Sequence, residues 1–152
     1  MATPDEVRAH TALHVLKGAV QRVLGAKLTA GTYVTGTHGG LTVRYGRKPT
    51  QEEVAMIEEV ANGKIAEDAP VEVLEMGRPE AEARWGEAIY DLFPLPPAIT
   101  ELRILNLREW NVNACNKRHT SRTGEIGRLK ISKTRFRAQK GLLELAFDLA
   151  KP

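Results

Sequence analysis

Most of the histidines in this chain, and its only cysteine, fall into two short motifs that lie more than a hundred positions apart. The first motif reads His10-Thr-Ala-Leu-His14, and the second reads Cys115-Asn-Lys-Arg-His119. One thiolate with several neutral imidazoles is a ligand set that suits zinc. A fold that brings the two motifs together would therefore form one metal site. The need to place residues 10–14 beside residues 115–119 constrains the topology strongly.

The first motif lies in a segment that predicts a helix from Pro4 to about Leu24. Thr3 and Glu6 have the spacing of a capping box, and Pro4 suits the first helical position. Gly25 provides a stop signal. The sequence therefore predicts a long first helix that carries both histidines of the motif.

On this helix His10, His14 and Lys17 share one stripe, and the two imidazoles project from successive turns. An apolar stripe beside them indicates the core face, with Leu13, Leu16, Val20, Val23 and Leu24. An isolated His-x-x-x-His pattern is also typical of a partly buried polar edge. The second motif favours the metal interpretation.

The remaining pattern alternates strands with helices. Two strands are predicted around a turn at 36–40 that contains His38, which is either a loop histidine or a catalytic one. Thr50 to Glu53 is a second capping box. The later segments are a strand at 71–74, a helix at 79–90, and strands at 100–107, 111–114, 126–131 and 141–149. A helix could also be drawn through the leucine-rich last segment. The fold class predicted is α+β, a mostly antiparallel sheet with helices packed against one face.

The two motifs resemble those of the editing domain of alanyl-tRNA synthetases, which are His-x-x-x-His and Cys-x-x-x-His. The second runs into Thr123-Gly-Glu-Ile-Gly127 and a basic strand, as in that family. The segments 51–73 and 85–90 are similar to it too, so the resemblance covers nearly the whole chain. It is closest to the free-standing AlaX group in its short form. The synthetases have Cys-Gly-Gly-Thr-His where this chain has Cys115-Asn-Lys-Arg-His119, so backbone donors near the substrate are expected to lie differently.

The resemblance implies the α+β fold of the alanyl- and threonyl-tRNA synthetase editing domains and a Zn²⁺ cofactor. Its ligands would be His10, His14 and Cys115, with His119 either a fourth ligand or a catalytic pocket residue. The reaction implied is hydrolysis of the ester that joins serine or glycine to the 3′ end of alanine tRNA. Zinc could activate water, polarise the ester carbonyl or position the substrate.

Sparing correctly charged alanine tRNA is a physical problem, because alanine is smaller than serine and size cannot exclude it. A hydrogen bond to the serine hydroxyl can discriminate between the two. Thr29 is our candidate for this contact, because the family places a polar pocket residue on the strand after the first helix. Threonine is also a common strand former, which is the alternative interpretation.

Positive charge is concentrated late in the chain, although the formal net charge is only +3. The candidate tRNA-binding residues are Lys117, Arg118, Arg122, Arg128, Lys130, Lys133, Arg135 and Arg137. Such a run is either a solvated strand face or a surface for phosphate contact, and its few acids favour phosphate. Trp85 and Trp110 could stack on a terminal base or belong to the core.

Composition predicts one domain over residues 1–152, because 152 residues with 42% hydrophobic content suffice for a single core. A lone cysteine cannot form an internal disulfide, which suits a reducing compartment. No apolar run reaches the length of about 18 residues that a membrane span needs. We expect a cytoplasmic protein with no membrane contact and no obligate protein partner.

Two other functions are compatible with these patterns. One is a deacylase that acts on seryl-tRNA for threonine, or on another aminoacyl ester. The other is a non-catalytic RNA-binding module in which the zinc is structural.

Overall fold

The computed structural model describes residues 2–151. Its first helix, α1, spans Pro4–Leu24, as the sequence predicts. Thr3 and Glu6 form both hydrogen bonds of the capping box. The helix ends at Gly25, whose φ of 74° lies in the left-handed region that favours glycine.

Two further α-helices and seven strands follow within the described residues. In chain order they are β1 (Thr29–Thr35), β2 (His38–Arg44), α2 (Gln51–Ala66), β3 (Glu72–Gly77), α3 (Arg78–Trp85), β4 (Glu101–Leu107), β5 (Asn111–Ala114), β6 (Leu129–Arg137) and β7 (Leu142–Leu149). Short 3-10 helices, Gly86–Ile89 and Thr123–Ile126, precede β4 and β6. None of the described helices is both long and apolar enough to cross a membrane.

The strands form two antiparallel sheets. A four-stranded sheet has the order β1-β2-β7-β6, and a three-stranded sheet has the order β3-β4-β5. The predicted α+β class and strand direction are confirmed. The division into two sheets is new, because alternation of apolar residues marks strands without saying which of them pair.

Helix α1 lies between the two sheets and is buried along most of its length. Its apolar side chains, such as Leu16 and Val20, pack with Leu41 and Phe147 of the larger sheet and with Leu105 of the smaller one. A second apolar cluster joins the smaller sheet to α3 and the following 3-10 helix. The stripe that carries the histidines is thereby held against the smaller sheet, where α1 contacts β5.

Three of the later predicted segments differ from the structure by more than one residue. The helix expected over 79–90 ends at Trp85, because Gly86 has a φ of 62°. The strand expected over 126–131 begins only at Leu129, after the 3-10 helix, and continues to Arg137. The strand at 71–74 is shifted to Glu72–Gly77. The leucine-rich last segment is a strand, as preferred.

His38 lies on β2 rather than in the preceding turn, which consists of only two residues. Its Nε2 is 3.1 Å from the hydroxyl of Tyr33, and its Nδ1 is 2.9 Å from Oδ1 of Asp148. These partners are on β1 and β7, and they place His38 on the exposed side of the larger sheet. His38 is therefore separate from the other three histidines.

Candidate metal centre

Cys115 is the first residue after β5, and the smaller sheet fixes its backbone. Its amide donates a hydrogen bond to the carbonyl of Arg103 on β4 at 2.9 Å. The chain then leaves the sheet and returns with His119, whose Nε2 lies 3.6 Å from Sγ of Cys115. The four-residue spacing of the second motif therefore brings both side chains to one point.

His14 approaches this point from α1. Its side chain is buried, with 3% of its surface exposed. The candidate ligand atoms of His14, Cys115 and His119 all lie within 4.8 Å of one another. This is a distance at which three residues can share one metal ion, and the two distant motifs do converge.

His10, one helical turn before His14, lines the same cavity but is not part of that close group of three. Burial and the charge of Lys117 lower its pKa. The predicted role of His10 as a metal ligand beside His14 and Cys115 stays a prediction.

The odd-numbered residues of β5 face the histidine stripe of α1. Nδ1 of His14 is 2.9 Å from Oδ1 of Asn111. An amide oxygen can only accept, so Nδ1 of His14 must carry the proton and Nε2 keeps its lone pair. Fixing the tautomer of a metal-binding histidine through its second nitrogen is typical of metal sites.

Asn113, two residues further along, holds Lys17 in the same way. The ammonium of Lys17 donates to Oδ1 of Asn113 at 2.6 Å and pairs with Asp91 at 3.3 Å. The side-chain nitrogen Nδ2 of Asn113 donates to the backbone carbonyl of Ile89 at 3.1 Å. This network closes one side of the site with groups that already have partners.

The imidazoles of the site are held neutral. Burial is the main cause that lowers the pKa of His119 to about 4, and the charges of His10 and Arg103 add to it. Burial, followed by the charge of Lys17, also lowers the pKa of His14 well below its ordinary value. At neutral pH each of these imidazoles is therefore uncharged and keeps one nitrogen lone pair that can bind a metal.

Two observations show that these residues fit a metal ion such as zinc. The donor set combines one sulfur with imidazole nitrogens, which zinc favours. Nδ1 of His119 is buried and has no hydrogen-bond partner among the described residues. Buried polar atoms normally have a partner, so this unsatisfied nitrogen, on the ring whose Nε2 lies 3.6 Å from Sγ of Cys115, is compatible with a ligand bound at the site.

The loop that carries His119 is fixed on both sides. The amide of Thr120 donates to the hydroxyl of Thr11 on α1 at 2.8 Å. Further on, Asp68 accepts from the amide of Gly124 and pairs with Arg122 at 3.0 Å. A Cβ at Gly124 would lie 2.4 Å from the Asp68 carboxylate, so only glycine allows this approach. The second motif thus needs the Thr-Gly-Glu-Ile-Gly segment to hold its shape.

We call the cavity beside these residues the metal cavity. It has a volume of about 300 Å³, and its walls include His10, His14, Lys17, Asp91, Arg103 and Cys115. A wall of mixed polar and apolar side chains suits a small polar group at the end of a larger molecule.

Comparison with known proteins finds relatives among the alanine–tRNA ligases. No protein-family profile matches the chain. An alanine–tRNA ligase of Saccharolobus islandicus (strain M.14.25 / Kamchatka #1) is 37% identical over 142 residues, which are 93% of this chain and 15% of the ligase. The alanine–tRNA ligase of Methanopyrus kandleri is 38% identical over 141 residues, 92% of this chain and 15% of the ligase. That of Ignicoccus hospitalis is 37% identical over 142 residues, with 93% and 15% covered.

The chain is therefore a homologue of one segment of alanine–tRNA ligases, which confirms the resemblance to that synthetase family. It spans about 15% of the length of these relatives. The activity of the full-length ligases is therefore not assigned to this chain.

Thr29, the candidate for serine recognition, is the first residue of β1, and its side chain is buried. Its carbonyl accepts a hydrogen bond from the amide of Leu92, the neighbour of Asp91 in the cavity wall. Thr29 itself is not among the cavity-lining residues, whereas Thr32 on the same strand is. The role of Thr29 stays a prediction.

The basic residues divide into two groups. Arg122 pairs with Asp68, and Arg137 pairs with Glu144, so both serve contacts within the chain. The other six are exposed and have no ion pair within residues 2–151: Lys117, Arg118, Arg128, Lys130, Lys133 and Arg135.

Strand β6 aligns three of these cations on one side of the larger sheet. Lys130, Lys133 and Arg135 stand opposite Asp148, Ala146 and Glu144, which alternate along β7. The alignment depends on a bulge between Ile131 and Lys133, because without it Lys130 and Lys133 would face opposite sides. We call Lys130, Lys133 and Arg135 the basic face.

Several residues of the site are not apparent from the motifs alone. Asn111, Asn113 and Asp91 orient His14 and Lys17, and Thr11 holds the His119 loop. The signal for the first two was the alternation Asn111-Val-Asn113-Ala-Cys115, which predicts one strand face. Trp110 is half-buried and its Nε1 donates to the carbonyl of Val15, so it supports α1.

Proposed function

We propose that this protein hydrolyses the ester that joins a wrongly attached serine, or glycine, to the 3′ end of alanine tRNA. The observation that carries the proposal is the meeting of His14, Cys115 and His119 at a cavity, in a chain related to alanine–tRNA ligases. Ester hydrolysis at such a cavity needs no cofactor beyond a metal ion. We further propose that the chain acts in trans and in the cytoplasm, where charged tRNA is used.

Zinc is the metal we propose. Its ligands would be Cys115, His14 and His119, with His10 as the fourth. When bound, zinc would supply Lewis acidity toward water or the ester carbonyl. The histidine-rich set favours a catalytic site over a structural one, because structural zinc sites are usually richer in cysteine.

The chain's own residues prepare the cavity for a small aminoacyl group. Asn111 keeps a lone pair on Nε2 of His14, and burial keeps His119 unprotonated. The Lys17–Asp91–Asn113 network sets the width of the cavity on the other side. Thr29 is our proposed partner for the serine hydroxyl, which would explain how alanine, lacking that group, escapes hydrolysis.

Transfer RNA would be held outside the cavity by the basic segment. The exposed cations Lys117 and Arg118 lie beside His119, and the basic face extends along β6. Contacts of lysine and arginine with phosphates act through charge and weaken as salt rises. The proposed partner is therefore mischarged alanine tRNA, bound largely through its backbone.

A deacylation assay tests the proposal. The 152-residue chain should release serine, and glycine if it is also a substrate, from alanine tRNA while sparing alanine. Seryl-tRNA for threonine should be a poor substrate, and a preference for it would assign the protein to the alternative reaction. His14→Ala should abolish release, whereas His38→Ala, a matched histidine on the outside of the larger sheet, should not. Retained activity in His14→Ala, or no hydrolysis by the zinc-loaded protein, would refute the proposal.

A further inference from the structure

Arg103 differs from the other described arginines because its side chain is partly buried and yet makes no hydrogen bond or ion pair. Four arginines in the described residues, Arg103 among them, are less exposed than the others. Arg8, Arg78 and Arg137 each donate to backbone carbonyls or to a carboxylate. Arg103 has no hydrogen bond or ion pair from its guanidinium within residues 2–151, and its Nε is buried and unsatisfied.

The acids nearest to Arg103 on the sheet do not neutralise it. Glu75 stands directly opposite on β3, and Glu101 lies two residues earlier on the same strand face. Neither carboxylate lies within the 4.0 Å of an ion pair with Arg103. A partly buried guanidinium that pairs with neither of two nearby carboxylates still has its N–H donors available for another anion.

The position of Arg103 indicates where that anion would come from. Arg103 lines the metal cavity together with Cys115, and its charge acts on His119. The other buried cation of the cavity, Lys17, is already engaged by Asp91 and Asn113. An anion that enters the metal cavity would therefore meet Arg103 as its available buried donor.

The chemistry of an aminoacylated nucleotide identifies the anion. In the ester the amino acid has lost its carboxylate and carries only an ammonium, so the negative charges are phosphates. The nearest phosphate is on the 5′ oxygen of the terminal nucleoside, one ribose ring away from the ester. A planar guanidinium matches a phosphate through two parallel hydrogen bonds.

We propose that Arg103 binds the phosphate on the 5′ side of the terminal nucleoside and so positions the ester beside Cys115 and His119. The inference rests on the proposed function for the identity of the ligand. It assigns Arg103 a positioning role, in which the cation fixes the nucleotide and takes no part in breaking the ester bond.

Binding of 5′-AMP and adenosine to the zinc-loaded protein, measured by calorimetry, tests the site without requiring hydrolysis. The wild-type protein should bind 5′-AMP about 10- to 100-fold more tightly than adenosine, as a charge-assisted contact provides. Arg103→Gln should remove that difference and leave adenosine binding unchanged. Arg44→Gln, an exposed arginine outside the metal cavity, should bind like the wild type. Equal affinities of the wild type for both ligands would overturn the proposal.

Two minimal esters separate positioning from chemistry. The substrates are the 3′-seryl esters of 5′-AMP and of adenosine, which differ only in the phosphate. Arg103→Gln should lower kcat/KM about 10- to 100-fold on the first and leave the second unchanged. An equal loss on both would mean that Arg103 acts on the ester, which contradicts the proposal. If neither ester is hydrolysed while 5′-AMP binding depends on Arg103, the proposed function fails and the phosphate site stands.

Thermal unfolding distinguishes a binding role from a structural one. Since the buried Nε has no partner in the chain, Arg103→Gln should unfold at the same temperature as the wild type or slightly higher in the absence of nucleotide. Arg103→Lys should keep the charge but recover only part of the 5′-AMP affinity, because it lacks the guanidinium fork. A variant that unfolds several degrees lower would show that Arg103 supports the fold, and would contradict the assignment.

Discussion

The metal cavity and the basic face differ in the environment of their ionisable side chains. In the cavity, burial lowers the pKa values of His14 and His119, and Asn111 and Asn113 hold the polar groups in place. On the basic face the cations are exposed and remain without ion pairs in the described chain. Metal ligation needs deprotonated ligand atoms in fixed positions, whereas attraction of phosphates needs free positive charge in water. The two regions are therefore suited to separate tasks, and variants should separate them.

The largest effect is expected from Cys115→Ala. Removing the only sulfur ligand should take zinc from about one per chain to nearly none, and deacylation should fall at least 100-fold with it. Binding of tRNA should change little, because the basic face lies on the other sheet. Elemental analysis, the deacylation rate and a tRNA-binding titration give the three readouts. Full zinc occupancy in this variant would remove Cys115 from the ligand set.

Charge reversal on the basic face should have the converse effect. Changing Lys130, Lys133 and Arg135 to glutamate should weaken tRNA binding about 10- to 100-fold at low salt and flatten the salt dependence. Zinc content should stay normal.

The matched control reverses Lys27, Lys48 and Arg84, which are also exposed but lie outside β6. If both triple variants lose the same affinity, the effect is one of net charge and the basic face is not the tRNA surface. Arg122 is a poor choice for reversal, because its pair with Asp68 supports the loop of His119.

Asn111→Ala tests how the cavity fixes His14. Loss of the acceptor for Nδ1 should lower zinc affinity about 10- to 100-fold, as is usual when the second nitrogen of a ligand histidine loses its partner. Competition with a chelator measures this affinity. Asn113→Ala is the control on the same strand face, because it contacts Lys17 and no metal ligand. Equal losses in both variants would point to damage of β5 instead.

Thr29→Val tests serine recognition. The substitution nearly preserves volume while removing the hydroxyl, so it should cost about 1 to 3 kcal/mol on the serine ester and little on the glycine ester. The ratio of the two deacylation rates is the quantity to measure. A similar loss on both substrates would leave Thr29 with a role in shaping the wall only.

The smallest effect concerns pH and the metal-free protein. The pKa of His119 is about 4 in the folded state and near 6.5 when unfolded, and that of His14 is lowered in the same direction. Between pH 6.5 and about 4 the unfolded chain therefore binds more protons, and stability falls as pH falls. The melting temperature should decrease across this window, and less so in a His14→Gln, His119→Gln double variant. Equal slopes would show that the two histidines are not buried as described.

Sequence reasoning was most successful where a local pattern has one physical meaning. The capping box at Thr3 and the stop at Gly25 bound α1 correctly, and the spacing of the two motifs predicted a meeting that the structure confirms for His14, Cys115 and His119. The approach of His10 depends on side-chain geometry that spacing cannot determine.

Other features required tertiary information. The bulge before Lys133 sets which side of the sheet the basic residues occupy, and no sequence signal marked it. Arg122 and Arg137 form ion pairs within the chain, so they differ from the six free cations of the basic segment. The sequence does not distinguish these two groups. In the sequence Arg103 looks like any arginine on a strand, and only the structure shows that its buried Nε has no hydrogen-bond partner. Long-range pairing determines each of these features.

A zinc titration of the metal-free protein, followed by the rate of serine release from seryl-tRNA for alanine, tests the central claim most directly. Zinc should restore activity in proportion to its concentration and reach a plateau at one ion per chain, with alanyl-tRNA left intact throughout. Full activity before zinc is added, or no activity at saturation, would contradict the account.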